Sequence, residues 1–167
     1  MINMSIEKYE FVPGDEKTIA PGRTVKRIRL LVAIAAFGLP SGSLGGYIES
    51  KECLSQSGNA WVSGDARVFG NAWVSGDARV FGDAQVSGDA QVFGDASIVW
   101  VSKVGRDNGT LTVFTGKDGD LIATRGCFIG TIDEFLAQSE KVHDDRTHLE
   151  YRMLIEVAHS RITRSAS

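Results

Sequence analysis

The sequence has few of the residues that most strongly constrain a protein's class. It contains two cysteines, Cys53 and Cys127, and three prolines in 167 residues. Two distant thiols without a CxxC motif do not make a disulfide framework or a zinc site, and so few prolines exclude a proline-rich disordered chain. We therefore expect a folded protein in a reducing compartment, without a metal site.

Long apolar runs and an excess of positive charge are also absent. The longest apolar run covers only residues 30–37, far short of the ~20 residues that span a bilayer. The formal net charge is -3, which argues against a protein that coats nucleic acid. The chain does not begin with the basic-then-apolar pattern of a signal peptide. We expect a cytoplasmic protein without a membrane or nucleic-acid partner.

The most informative feature that is present is a six-residue repeat, here called the hexapeptide segment, over residues 57–98. Its seven units read SGNAWV, SGDARV, FGNAWV, SGDARV, FGDAQV, SGDAQV and FGDASI. Each unit ends on an aliphatic residue, with an alanine two positions earlier, so alternation along a short strand directs both side chains inward. The Gly-Asp or Gly-Asn pair forms the corner, because these residues tolerate turn conformations best.

The period of six decides the predicted architecture, because it does not keep one face of an α-helix. Three units close one coil, so residues 18 apart stack. Ile48 and Leu54 indicate two earlier units, offset by a two-residue insertion near Ser55-Gln56, and Val104 indicates a later one. We predict a mainly β fold, a short left-handed parallel β-helix of about three coils. Parallel crossovers are normally right-handed, so the left hand is implied only by the resemblance described below.

The two ends of the chain are not repetitive, and we expect them to cap the open strand edges of the coils. The predicted domains are an N-terminal β cap (1–44), the β-helix (45–104) and a C-terminal α+β cap with two helices (105–167). A capping box at residues 131–134 begins the first helix. The second helix is predicted over residues 146–162. Its predicted buried face consists of Leu149, Met153, Leu154, Val157, Ala158 and Ile162.

The junction between the N-terminal cap and the repeat resembles a known family. The residues concerned are Lys8-Tyr9, Arg27-Ile28-Arg29, residues 44–50 (LGGYIES) and residues 54–62 (LSQSGNAWV). They look like the N-terminal signature of YdcK-like proteins, a family labelled as acetyltransferases, and like hexapeptide-repeat proteins of phages and prophages. The tail, with residues 126–131 (GCFIGT) and the two helices, resembles tails of the phage-type proteins.

This resemblance implies acyl transfer from acetyl-CoA as one function. Hexapeptide acyltransferases place a histidine base in or beside the coils, within reach of the acceptor's proton. The three histidines here, His143, His148 and His159, all lie in the C-terminal helical region. We therefore predict no catalytic residue and no cofactor. Under the acyltransferase alternative, acetyl-CoA is the cofactor, and the candidates are His148 and His159, which share one helix face.

The outward positions of the repeat carry an unusual number of aromatic side chains. Stacking by 18 places Trp61 over Arg79, a spacing that suits a cation–π contact. Clustered exposed aromatics indicate an interface, and Trp and Arg are typical of interface hot spots. The predicted interface consists of Trp61, Arg79, Phe81, Trp73, Phe93 and Phe69. The alternatives are that the terminal segments cover these aromatics within one chain, or that Trp and Phe occur there for their β-propensity.

Two features of the repeat predict the same kind of protein: it contains no histidine, and its outward positions carry aromatic side chains. It is a non-catalytic binding or scaffold protein of phage or prophage type. We expect a homo-oligomer, a trimer by the resemblance, that binds a host protein or a small ligand. For a phage-encoded chain the compartment is the host cytoplasm.

Overall fold

The computed structural model describes residues 5–94 and 97–165. Within this part of the chain, the N-terminal segment forms strands β1 (Tyr9–Ala20), β2 (Arg23–Leu30) and β3 (Leu44–Ile48). Short 3-10 helices lie on either side of β3, at Ala35–Phe37 and Lys51–Cys53. Asp95 and Ala96, in the last hexapeptide, lie outside the described residues.

Each of the first six hexapeptides contributes a strand of two residues. These strands are β4 (Trp61–Val62), β5 (Arg67–Val68), β6 (Trp73–Val74), β7 (Arg79–Val80), β8 (Gln85–Val86) and β9 (Gln91–Val92). They pair in parallel, β4 with β7, β5 with β8 and β6 with β9. The predicted stacking of residues 18 apart is therefore confirmed. Ile48 pairs with Val68 and Leu54 with Val74. In both pairs the partners are two residues further apart in sequence than the 18 of the later units, as the predicted insertion requires.

The alanine and the aliphatic residue of these units fill the interior, as the alternation predicts. The inward side chains are exposed by 2% or less. They are Ala60, Val62, Ala66, Val68, Ala72, Val74, Ala78, Val80, Ala84, Val86, Ala90 and Val92. Two corners are joined by side-chain hydrogen bonds, from Asn59 Nδ2 to Asp77 Oδ1 at 3.0 Å and from Asn71 Nδ2 to Asp89 Oδ1 at 3.3 Å. The corner residues therefore contribute to stacking as well as to the turns.

The C-terminal segment forms an antiparallel sheet and two helices. Its strands are β10 (Ile98–Val104), β11 (Gly109–Thr115), β12 (Leu121–Arg125) and β13 (Phe128–Thr131). Helix α1 (Ile132–Val142) begins at the predicted capping box: the Glu134 N–H donates to Thr131 Oγ1 at 3.1 Å, and the Thr131 N–H donates to Glu134 Oε2 at 2.8 Å. Helix α2 (Asp145–Ser165) follows and packs on α1, β10 and β11.

The predicted fold class, a short left-handed parallel β-helix, is wrong. The described residues form a mainly β structure of several small sheets with two helices. The largest sheet is mixed, with five strands in the order β1-β2-β3-β5-β8, and the next is the four-stranded antiparallel sheet β10-β11-β12-β13. Parallel pairing is limited to two residues in each strand pair, whereas the longer strands lie in the two ends of the chain and pair antiparallel with one another. β2 pairs antiparallel with β3, and β10 pairs antiparallel with β11.

The buried face of α2 also differs from the predicted one. Three residues predicted to be buried, Leu149, Met153 and Val157, are 45%, 58% and 56% exposed. The buried residues of α2 are Tyr151, Ile155, Ala158 and Ile162. Apolar residues surround much of this helix, so periodicity alone did not identify the side that packs.

The two ends of the chain pack on different parts of the hexapeptide segment. On the N-terminal side, the ring of the buried Tyr9 packs on Trp61, and its hydroxyl donates to the carbonyl of Leu54, just before the segment, at 2.7 Å. On the C-terminal side, the Gln85 N–H donates to Thr112 Oγ1 at 3.1 Å, and Thr124 Oγ1 donates to the Gln85 carbonyl at 2.7 Å. Of the helices described, neither combines the length and the apolar character needed to cross a lipid bilayer.

Candidate functional site

The six residues of the predicted interface differ widely in exposure. Trp61 is only 2% exposed, and its ring meets Tyr9 edge-on with 6.3 Å between centroids. For Trp61 the prediction of an outward interface residue is wrong, because the N-terminal segment folds over the first unit and makes it a core residue. Phe81 and Phe93 are 46% and 56% exposed. The half-buried members are Phe69, Trp73 and Arg79.

A cluster on the β4–β7 side combines one cation with three aromatic rings. The guanidinium of Arg79 lies 4.4 Å from the ring centroid of Phe37 and 5.7 Å from that of Phe81, within the range of cation–π attraction. Phe81 and Trp100 meet edge to face, with centroids 4.5 Å apart. We call Phe37, Arg79, Phe81 and Trp100 the aromatic surface. Sequence reasoning missed Phe37 and Trp100, which lie outside the six-residue spacing.

The remaining predicted interface residues lie on the other two sides of the stacked strands. Phe69 is covered by Arg23, whose guanidinium carbon is 5.5 Å from the ring centroid. Trp73 pairs with Gln91, and Phe93 follows Gln91 on the same side. The structure therefore brings Arg79 and Phe81 together and places Phe93 on a second, separate side.

Two of the three histidines converge on one buried hydroxyl. Ser139 Oγ lies 3.1 Å from His143 Nδ1 and 3.2 Å from His148 Nδ1, and Ser139 is 1% exposed. The hydroxyl carries one proton, so it can donate to at most one of the two imidazoles and must accept from at least one. His159 instead borders an open cavity of about 640 Å³. His148 and His159, the candidates under the acyltransferase alternative, therefore have different surroundings.

A smaller cavity of about 300 Å³ lies where the antiparallel sheet meets α1 and α2. We call it the cap pocket. Its walls come from the β10–β11 turn, the β12–β13 turn, α1 and α2. The lining side chains with polar or aromatic chemistry include Arg106, Arg125, Cys127, Phe128, His143 and Tyr151. Sequence reasoning treated this region only as a cap, because its walls come from separate parts of the chain.

A buried amine near the N-terminus is a further feature that sequence reasoning missed. Lys8 is 6% exposed, and its Nζ donates to the Ala60 carbonyl at 2.7 Å. Burial lowers the pKa of this amine from 10.5 to about 8, because an apolar environment disfavours the charged form. The Lys8 N–H donates to Gln56 Oε1 at 2.8 Å, whereas Gln56 Nε2 has no hydrogen-bond partner among the described residues.

Comparison with family models, with curated proteins and with solved structures finds no match. The resemblance to YdcK-like and phage-type proteins therefore stays a prediction. In the described ranges 5–94 and 97–165, no group of three or more His, Cys, Asp or Glu side chains is arranged to hold a metal ion.

Proposed function

We propose that this chain is a non-catalytic binding protein that self-associates through the aromatic surface and Phe93. The observation that carries the proposal is the exposure of Phe81 and Phe93, 46% and 56% respectively. Each begins a hexapeptide, and serine begins the units at Ser63, Ser75 and Ser87. The repeat therefore folds with serine at this position, so the two exposed phenylalanines are better explained by an external contact than by the fold.

The arrangement of the two phenylalanines suits a closed ring of subunits. Phe81 and Phe93 lie on different sides of the stacked strands, beside β7 and β9 respectively. Two different patches on one subunit make head-to-tail contacts, which close into a ring when the rotation allows. A homotrimer, the assembly implied by the family resemblance, is such a ring. A host protein or a small ligand would be the further partner, and a reducing cytoplasm suits the free thiols of Cys53 and Cys127.

Replacing both exposed phenylalanines with serine is expected to dissociate the oligomer. Burying one phenylalanine side chain contributes roughly 1.5–3 kcal/mol, so the Phe81→Ser, Phe93→Ser double variant should associate at least about 100-fold more weakly. Sedimentation velocity and light scattering over a range of protein concentrations measure this change. The variant should still unfold cooperatively, but at a lower temperature than the wild type, because Phe81 also loses its edge-to-face contact with Trp100.

The matched control is Phe69→Ser, at the same position of another unit. Phe69 contacts Arg23 within its own chain, so its loss should leave the molar mass of the oligomer unchanged. A wild-type protein that remains monomeric at every concentration would contradict self-association. Equal dissociation by Phe69→Ser would contradict the assignment of the contact to Phe81 and Phe93.

The second candidate function is an acetyl- or acyltransferase that uses acetyl-CoA. The observation that favours it is the position of His159 beside the cavity of about 640 Å³, where Thr131, Asp133 and Thr163 also line the wall. Under the binding proposal, calorimetric titration with acetyl-CoA should show no saturable binding. Saturable binding that His159→Gln abolishes and His148→Gln retains would favour the transferase candidate instead.

A further inference from the structure

The cap pocket contains a guanidinium held in place without a carboxylate partner. Arg125 Nε donates to the Tyr151 hydroxyl at 3.0 Å. Among the described residues, no Asp or Glu oxygen lies within ion-pair distance of Arg125. A guanidinium presents five N–H donors, and among the described residues those on Nη1 and Nη2 have no hydrogen-bond partner. This planar group matches the geometry of a carboxylate or phosphate.

Two glycines make the space for this Arg125–Tyr151 pair. A Cβ on Gly109 would lie 2.3 Å from Arg125 Cζ, and a Cβ on Gly105 would lie 2.0 Å from the Tyr151 hydroxyl. Tyr151 is 1% exposed and packs against Phe135, with ring centroids 5.1 Å apart. The guanidinium is therefore held against the backbone on one side, and its hydrogen bond to a buried phenol fixes its direction. Because the side chain is already ordered, binding an anion would cost less conformational entropy.

The other charged groups at the mouth of the pocket include carboxylates as well as a cation. Arg106 is exposed and adjoins Asp107, which also lines the pocket. Asp144 lies close enough to contribute as well: its pKa is lowered chiefly by hydrogen bonds from Thr147, and in smaller part by Arg106 and His143. Arg106 therefore has acidic neighbours at the surface, whereas no carboxylate of the described residues pairs with the half-buried Arg125.

The rest of the wall is largely apolar and aromatic. Phe128 and Phe135 meet with centroids 5.3 Å apart, and the His143 and Tyr151 rings are 5.4 Å apart. Val142 is 57% exposed at the same opening. A volume of about 300 Å³ is at the small end of ligand sites, whose usual composition is an apolar wall with a few placed polar groups.

We infer that the cap pocket binds a small organic anion that carries a planar apolar ring, with its carboxylate or phosphate on Arg125 and its ring against Phe128 and His143. This inference does not rest on self-association, because all of its residues lie in the antiparallel sheet, α1, α2 and their turns. It adds a ligand site to a region that sequence reasoning regarded as a cap.

The first test is calorimetric titration of the full chain with phenyl phosphate and with benzoate, compared with benzyl alcohol and inorganic phosphate. We expect saturable binding of at least one aromatic anion, at least about tenfold tighter than either the neutral ring or the bare anion. Arg125→Gln should abolish it. Lys117→Gln, which removes one exposed positive charge outside the pocket, should leave it unchanged. Equal binding by Arg125→Gln and wild type would overturn the inference.

A second readout uses chains that keep Arg125 and so does not depend on whether Arg125→Gln folds. Cys127 is exposed and lines the pocket, whereas Cys53 is buried. The bound aromatic anion should slow alkylation of Cys127 by iodoacetamide, followed by mass spectrometry, at least about threefold at saturation. Binding without protection of Cys127 would place the ligand elsewhere and overturn the inference. The Phe81→Ser, Phe93→Ser variant should show the same protection, which separates this site from self-association.

Discussion

Replacing Trp61 with alanine is expected to lower the free energy of unfolding by about 3–5 kcal/mol, the usual cost of truncating a buried tryptophan. Trp61 is 2% exposed and packs edge-on against the buried Tyr9. Its indole N–H finds no hydrogen-bond partner among the described residues, so truncation leaves none of their acceptors unsatisfied. The loss is therefore one of packing, and urea unfolding monitored by circular dichroism measures it.

Trp73→Ala is the matched control for this prediction. Trp73 has the same position two units later, but it is only half-buried. Because part of its side chain already contacts solvent, we expect a loss of about 1–2 kcal/mol. If Trp61→Ala instead left unfolding unchanged and dissociated the oligomer, Trp61 would be an interface residue after all.

The stability of the protein should rise between about pH 8 and pH 10 because of Lys8. Burial lowers the pKa of Lys8 to about 8 in the folded chain, compared with 10.5 when unfolded. Between these values the unfolded chain binds a proton that the folded chain has released, so the free energy of unfolding increases with pH. Below pH 8 both states are protonated, and the folded state carries the full cost of the buried charge, at most about 3 kcal/mol.

Tyr9 acts in the opposite direction at higher pH. Burial, with smaller contributions from Cys53 and Glu7, raises the pKa of its hydroxyl far above the ordinary 10.0. Above pH 10 the unfolded chain loses this proton while the folded chain retains it, so stability falls. The two residues together predict a maximum of stability close to pH 10.

Urea unfolding at a series of pH values from 7 to 10 tests the role of Lys8. The increase should be largely lost in Lys8→Met, which removes the amine. It should persist in Lys51→Met, since Lys51 is exposed and pairs with Glu7 at the surface. Wild-type and Lys8→Met curves that run parallel over this range would contradict the prediction.

The six-residue period predicted the local structure of the repeat well. It identified inward side chains such as Val62 and Val80, the stacking of residues 18 apart, and the insertion that shifts Ile48 relative to Val68. These properties follow from strand alternation and turn chemistry within a few residues. The period did not predict the sheets, because the partner of an edge strand is chosen by segments far away in the chain. β2 joining β3 makes the largest sheet mixed.

The aromatic residues show the same limit for the candidate site. Trp61 and Trp73 occupy the same position in their units, and so do Phe69, Phe81 and Phe93. In the structure Trp61 is core, Phe69 lies under Arg23, and Phe93 is exposed. What covers each one is decided by the end of the chain that folds over it, and the repeat carries no information about that.

By itself, then, the sequence determined the repeat, its inward core, the capping box at Thr131 and the concentration of histidine outside the hexapeptide segment. Only the tertiary structure decided the sheet topology, which outward aromatics remain exposed, and the existence of the cap pocket around Arg125. The physical reason is the range of the interactions. Alternation, turns and helix caps depend on neighbours in sequence, whereas edge pairing, burial of a ring and a cavity depend on segments that meet only in the folded chain.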